Sequence, residues 1–441
     1  MSKVLFLTVG GSPAPLISAV NNLRPQRVVF ICSDGPRGSI SQVLQDGTPC
    51  EIREGTTVKD RLPNLPTHLQ LGDRFHPETD VVALPDPDDL SDAYQQICAK
   101  ILEVRQTTPE AELAADYTGG TKTMSLALGT AAIDHQVSLY LTSANRINLI
   151  RVDRGEATER ASTLKPILQR TLHQVIPGLL EQYDYPAIAS QLQDLLQTYE
   201  LPKEDKVHIR MQRQIWQGFD AWDRFDHEAA WHLLAPHIRI LQPHALFLKR
   251  VIGSRALIDP EFTPEEKTRG TGYELVQDLL LNAERRVKQQ RYDDAVGRLY
   301  RALELFAQIH LLKEYGLRTG DVDIELLPSP LREGYESQRQ SRTGKIQLAL
   351  LQSYEVLGQM EAADASLGGL YRQQKEALID ALRVRNFSLF AHGFQPVGQN
   401  TYEAFSQVVV GFIQAGLQQV CAGSKGHLPL QFPQCLDLGS A

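Results

Sequence analysis

The sequence predicts an α/β, Rossmann-like N-terminal domain followed by an all-α region, itself divided into a connecting module and a C-terminal helical domain. Three observations carry this. Up to about residue 155, short apolar runs alternate with helical patterns. Beyond about residue 160 the strand patterns stop. At 441 residues the chain also exceeds what one hydrophobic core ordinarily serves.

Taken in order, the strand candidates are "KVLFLTV" from Lys3, "RVVFICS" from Arg27, "VVALP" from Val81, "AELAADY" from Ala111, "VSLYLTS" from Val137 and "INLIRVD" from Ile147. Between them "PLISAVNNL", "LSDAYQQICAKILEV" and "TKTMSLALGTAAIDH" carry helical spacing. Apolar strands separated by helices imply a parallel sheet covered on both faces. The stretch from about 46 to 79, rich in Pro, Gly and charge, reads as a loop or irregular insertion. "LKPILQRTLHQVIPGLLEQ", "PAIASQLQDLLQTYE" and "RQIWQGFDAWDRFDHEAAWHLLAPHI" then form a helical module, and "GSRALIDPEFTPEEKTRGTG" (253–272) marks its end. The expected domains are therefore 1–160, 161–265 and 266–441. In the last, Val296, Leu299, Leu303 and Phe306 form one apolar helix stripe.

Composition bounds the function. Hydrophobic residues at 42% and charged residues at 22% suit a globular protein, and no fixed-period repeat is evident. A net charge of −8 argues against non-specific coating of nucleic acid, so any nucleotide or RNA site must be local. Five scattered cysteines without a CxxC pair suggest a reducing compartment and no structural zinc. The apolar run after Lys3 is too short for a signal peptide, and no stretch reaches the length of a membrane span. A cytoplasmic protein without membrane attachment is expected.

Two glycine turns follow predicted strands: "TVGGSPAP" (Thr8 to Pro15) and "DYTGGTKTM" (Asp116 to Met124). In an open parallel sheet both lie on the carboxyl rim, where ligands bind and helix N-termini present free N–H groups. Gly10, Gly11, Gly119 and Gly120 would let backbone approach an anion. Ser12, Thr118 and Thr121 offer hydroxyls, and Lys122 adds charge. "CSDGPRG" adds Ser33, Asp34 and Arg37 as further rim contacts. Neither turn matches GxxxxGK[ST] or GxGxxG, so P-loop hydrolysis is not expected. The competing reading is that these residues only make tight turns.

Two other patterns fail. In "DHEAAWHLL", His227 and His232 are five apart, about 140° round a helix, so they cannot form an HExxH zinc site and are expected to be partly buried or at the surface. "DVDIE" lacks the spacing of a calcium loop. No metal site is expected.

"RNFSLFAHG" (385–393) places Arg385, Asn386 and His392 in an otherwise apolar helical run. Gly393 and Pro396 would end that helix, leaving His392 in its last turn. Seven residues along a rigid helix separate Arg385 from His392 by roughly 10 Å, so a kink or a symmetric second copy is needed to join them. An arginine for anionic oxygens, a histidine for protons and an asparagine to orient them suit cleavage of RNA by its own 2′-hydroxyl, without a metal. The same trio could merely cap and pair at a helix end.

"RNFSLFAHG" resembles the R-x4-6-H signature of HEPN ribonucleases, and "DYTGGTKTM" resembles the ligand loop of CARF domains. "YDDAVGRLYRALELFAQ" resembles the HEPN helix that precedes the motif. In this order they resemble the CARF-HEPN endoribonucleases of type III CRISPR systems, the Csm6/Csx1-like family. The resemblance implies a homodimer whose CARF pair binds cyclic oligoadenylate as allosteric activator and whose HEPN pair cleaves single-stranded RNA, with no cofactor. It makes Arg385, Asn386 and His392 catalytic, and Gly10, Gly11, Ser12, Thr118, Gly119, Gly120, Thr121 and Lys122 the activator site. The basic stretches "SQRQSRTGK" and "LRVRNF" fit an RNA cleft. A CARF-type sensor with an inactive nuclease, and a HEPN toxin-like ribonuclease unrelated to CRISPR, are the alternatives.

Overall fold

The computed structural model describes residues 2–35, 38–44, 51–54, 57–61, 63–144, 156–266, 268–388, 393–421 and 429–435. The chain divides into two compact units, Met1–Gln169 and Arg170–Ala441. Of the expected features, Arg37, "INLIRVD" and His392 lie outside the described residues.

The first unit runs β1 (Lys3–Thr8), α1 (Ala14–Leu23), β2 (Arg27–Ser33), α2 (Ser41–Leu44), β3 (Glu51–Glu54), β4 (Thr57–Arg61), α3 (Leu65–His68) and β5 (Val81–Leu84). It continues with α4 (Leu90–Thr107), β6 (Glu112–Asp116), α5 (Lys122–Asp134), β7 (Ser138–Ala144) and β8 (Glu156–Arg160). Six strands form one sheet in the order β5-β2-β1-β6-β7-β8. The first five are parallel, and β8 pairs antiparallel with β7.

The unbroken apolar runs are explained by burial on both faces. Phe6, Val29 and Ile31 pack with Ile97, Ile101, Met124 and Leu128 on one side. Leu5, Leu7, Val28 and Phe30 pack with Leu16, Val20, Leu65 and Phe75 on the other. The stretch read as an irregular insertion instead carries the antiparallel β3–β4 hairpin and the short helix α3, capped by Asn64. Its strands are charge-rich, and so is β8 ("EATER"). A strand without an apolar face leaves no alternation to recognise.

In the second unit a π-helical turn, Thr171–Val175, leads into α7 (Ile176–Glu181), after α6 (Leu164–Arg170). There follow α8 (Tyr185–Thr198), α9 (Lys203–Asp223), α10 (His227–Leu234), α11 (Ile238–Ile258), α12 (Glu274–Lys288) and α13 (Tyr292–Tyr315). The last four are α14 (Ser329–Glu336), α15 (Leu350–Met360), α16 (Leu367–Phe387) and α17 (Gln399–Val420). Val296, Leu299, Leu303 and Phe306 are buried, as their spacing predicts. They lie on α13, which packs against α12, α15, α16 and α17.

A stack of Tyr185, Trp216, Phe219 and Trp222 binds α8 to α9, and Phe432 from the C-terminal segment closes it, 4.7 Å from Trp222 between ring centroids. His227 is 1% exposed, with Nε2 3.3 Å from Asp278 Oδ2, whereas His232 is exposed beside Glu265.

A second buried polar knot joins α13 to the start of α16. Glu361 Oε1 accepts from Tyr315 OH at 3.1 Å and lies 2.7 Å from His310 Nε2, and Oε2 accepts from Gly368 N–H at 2.6 Å. Tyr273 OH lies 2.9 Å from His310 Nδ1. Burial alone would raise the Glu361 carboxyl, but the hydrogen bonds and the His310 charge bring it down to about 2. A folded-state value below the unfolded one stabilises the native state above pH ~4.3, the unfolded glutamate value. That contribution should drain away as pH falls from there towards 2. Urea unfolding across pH 2–6 should show this acid loss, and Glu361→Gln should flatten it. An unchanged acid limb in the variant would show that Glu361 does not govern it.

Candidate functional site

The strand order places a switch point at β1. From β1 the chain proceeds outward through β2 to β5, then returns to the other side of β1 as β6. The crevice between the carboxyl ends of β1 and β6 is where an open α/β sheet takes its ligand. Both glycine turns meet there.

Their contact is backbone on backbone. A Cβ at Gly10 would come within 2.6 Å of Gly120 N, and one at Gly119 within 2.2 Å of Thr8 O. Gly120 has φ +78°, the left-handed region that glycine adopts without strain. Thr8 Oγ1 donates to Gly119 O at 2.7 Å, Ser125 Oγ donates to the same carbonyl at 2.8 Å, and the buried Gln42 amide donates to Gly10 O.

The predicted rim residues separate into two kinds. Thr121 caps α5, accepting from Met124 N–H at 3.2 Å and donating to Pro87 O at 2.9 Å. Thr118 Oγ1 accepts from Thr142 N–H at 2.7 Å, and the hydroxyl of Ser33 accepts from Ser39 N–H at 2.8 Å. These hydroxyls hold the turns in shape. Gly11, Ser12, Asp34 and Lys122 are exposed, although Asp34 Oδ1 accepts from Gly35 N–H at 2.6 Å. Beneath the second turn lies buried Asp116, which accepts from Thr118 N–H at 2.9 Å and from Thr142 Oγ1 at 2.7 Å. Burial pushes its carboxyl above the usual range, and these hydrogen bonds oppose the shift. Gln42, Asp116 and Thr142 were not singled out by the sequence, because nothing in their spacing marks them as rim supports.

The second candidate site lies at the end of α16. The helix was expected to continue through His392 to Gly393. It stops at Phe387, and Ser388 is extended (φ −78°, ψ 165°). Ser388 turns the chain by giving both its N–H (3.1 Å) and its hydroxyl (2.8 Å) to the Arg385 carbonyl. The returning segment pairs Gln395 with Ser388 and gives Val397 N–H to the Asp293 carboxylate at 3.2 and 3.3 Å. Arg385 is half-buried, its guanidinium carbon 4.4 Å from the ring centroid of Tyr300 on α13. Asn386 is exposed, and Phe394, 90% exposed, stands on the return segment. The break falls between Arg385 and His392, so the straight-helix separation does not apply. Tyr300 and Asp293 lie within "YDDAVGRLYRALELFAQ", but contact with a residue some 85 positions away leaves no local signal.

Among the described residues, no group of three or more His, Cys, Asp or Glu side chains could hold a metal ion. No described helix is long and apolar enough to cross a membrane.

Residues 266–415 match the family described as the Csm6 HEPN domain. The fold of the whole chain is similar to that of Enterococcus italicus Csm6 bound to cyclic hexa-2′-fluoro-hexa-dAMP, at a TM-score of 0.56 and 12% sequence identity, covering 96% of each chain. No curated protein matches in sequence.

The closeness of the two turns is itself testable. Gly119→Ala should force Thr8 and Gly119 apart and cost about 1–3 kcal/mol, as overpacking does. Urea unfolding of the full chain should show this loss. A change below about 0.5 kcal/mol, the size of an ordinary surface substitution, would mean that the turns separate freely.

Proposed function

We propose that this protein is a single-strand-specific endoribonuclease of type III CRISPR defence, allosterically activated by cyclic oligoadenylate and active as a homodimer in the cytoplasm. The observation that carries the reading is that the Csm6 HEPN match contains Arg385, Asn386 and His392 in R-x6-H spacing. The glycine-turn rim, in a fold shared with a protein whose structure holds a cyclic hexanucleotide, supports the activator assignment.

The activator would be held at Gly10, Gly11, Ser12, Gly119, Gly120 and Lys122, with Thr118, Thr121, Ser33 and Asp34 shaping the turns. Backbone at the glycines can approach a phosphate closely, and the first turn of α5 carries no acidic residue to repel it. Activation requires the ligand to bind one arrangement of the dimer better than another.

In the ribonuclease step the RNA 2′-hydroxyl oxygen attacks the adjacent phosphorus, and the bond to the 5′-oxygen breaks. His392 moves the proton between these two oxygens, Arg385 stabilises the added charge on the phosphorane, and Asn386 positions the histidine. The products are a 2′,3′-cyclic phosphate and a 5′-hydroxyl. The nucleophile comes from the substrate, so the step needs no metal-activated water. A second copy of the chain would supply a second such helix end to the same cleft.

Cleavage of single-stranded RNA in EDTA, with and without cyclic tetra- and hexaadenylate, tests the reading. Ligand-stimulated cleavage is expected, with a loss of at least ~100-fold in His392→Ala, the size of a general acid–base contribution. Full activity in that variant would overturn the assignment of His392. Tight ligand binding without cleavage would instead indicate an inactive sensor, and cleavage indifferent to ligand a toxin-like ribonuclease.

A further inference from the structure

We propose that Tyr300 is a positioning residue for Arg385, holding the guanidinium by the ring face so that its N–H edges stay free for a phosphate. The inference rests on the reading of Arg385 as the group that binds the scissile phosphate.

Arg385 is held differently from the ion-paired arginines of the second unit. Several guanidinium groups of the second unit are held edge-on by carboxylates, Arg285 by Asp223 at 2.6 Å, Arg250 by Glu274 at 2.6 Å and Arg224 by Asp220 at 3.0 Å, whereas Arg298, like Arg385, lies over a ring, that of Phe225 at 5.7 Å. A carboxylate fixes an arginine firmly, but it occupies the donor edge and cancels the charge. Among the described residues Arg385 has no such partner, and its contact is the Tyr300 ring at 4.4 Å. An aromatic face attracts the cation through the ring quadrupole while leaving the five in-plane N–H donors unspent. For a group that must meet a phosphate, that is the more useful anchor.

The helix bearing Tyr300 is itself tied to the far side of the break. Asp293 lies seven residues before Tyr300, about two turns, on the same face of α13. It accepts the Val397 N–H at 3.2 and 3.3 Å, and Tyr292 packs 5.8 Å from Tyr402 on α17. One face of α13 thus grips the chain on both sides of residues 389–392: Arg385 before them and Val397 after. The ring therefore fixes Arg385 relative to the return segment as well as to α16.

The argument requires an aromatic face at position 300 and makes no use of the phenol hydroxyl. With the activated full chain and single-stranded RNA, Tyr300→Leu should lower kcat about tenfold, the size of a partly desolvated cation–π contact. KM should move much less. Tyr300→Phe and Tyr300→Trp should recover most of the activity, a pattern that a purely structural role for a tyrosine would not produce. Arg385→Ala is measured beside them. Wild-type kcat in Tyr300→Leu alongside an inactive Arg385→Ala would overturn the inference and leave the ribonuclease reading standing. So would Phe and Trp variants as impaired as Leu, a comparison that remains decisive if the Leu variant folds poorly. Undiminished cleavage by Arg385→Ala would instead overturn the assignment of Arg385 beneath it.

Discussion

Asp223 is the residue on which the second unit turns. It ends α9 almost out of solvent, and three α12 side chains converge on it. Arg285 reaches Oδ1 at 2.6 Å, Arg286 reaches Oδ2, and Asn282 donates to Oδ1 at 3.0 Å and to the Asp223 carbonyl at 2.9 Å. A charge taken so far from water is tolerable only when paired, and removing one partner of such a pair typically costs about 3–5 kcal/mol. Arg285 is buried completely. Burial lowers it to about 10, still well above neutrality, and nearby Asp278 opposes the shift. It is also capped by the Gln431 amide oxygen at 2.8 Å and by the Phe432 ring at 3.6 Å. Asp223 thereby fastens α9 to α12, as the Arg250–Glu274 pair fastens α11 to α12. α12 lies in turn against α13, which carries Tyr300 and Asp293.

The first unit solves a different problem: how to bring two chain segments into backbone contact without side chains between them. Glycines at 10, 119 and 120 let the backbones touch, and a ring of hydroxyls and one buried amide then fixes the loops. This division of labour explains why Thr118, Thr121 and Ser33 make internal hydrogen bonds while Gly11, Ser12 and Lys122 face solvent. The residues most like ligand groups in the sequence are partly the supports of the site. Under the proposed reading, an activator would meet mainly backbone and a helix terminus.

What was legible follows from range. The buried strands announce themselves by unbroken apolar runs, and the α13 stripe by its three- and four-residue steps, because both signals are local. The hairpin β3–β4 and the edge strand β8 are charge-rich and have no such signal. The end of α16 was misplaced because Gly393 and Pro396 are strong stop signals. The actual stop is made by Ser388, whose hydroxyl competes for the Arg385 carbonyl just as a serine near a helix end can. Partners such as Asp278 for His227, Asp223 for Arg285 and Tyr300 for Arg385 join segments more than fifty residues apart. Only the fold reveals them.

The same distinction between local and distant partners applies to the charged groups that an RNA substrate, as proposed, would meet on an acidic chain. The stretches read as basic from the sequence are largely compensated in space. In "SQRQSRTGK", Arg339 pairs with Glu336 at 2.6 Å and Lys345 with Asp321 at 3.2 Å. In "LRVRNF", Arg383 pairs with Asp380 at 3.2 Å. Those charges are exposed and their pairs weak, so they lend little lasting field. Arg385 differs in kind: half-buried, stacked rather than paired, and set where the chain leaves α16. A single uncompensated cation in a partly desolvated position does more for a phosphate than several neutralised ones at the surface, since screening falls as water is excluded. The net charge of −8 argues against general attraction of nucleic acid, and under the proposed reading the stacked arginine is where a phosphate would come to rest.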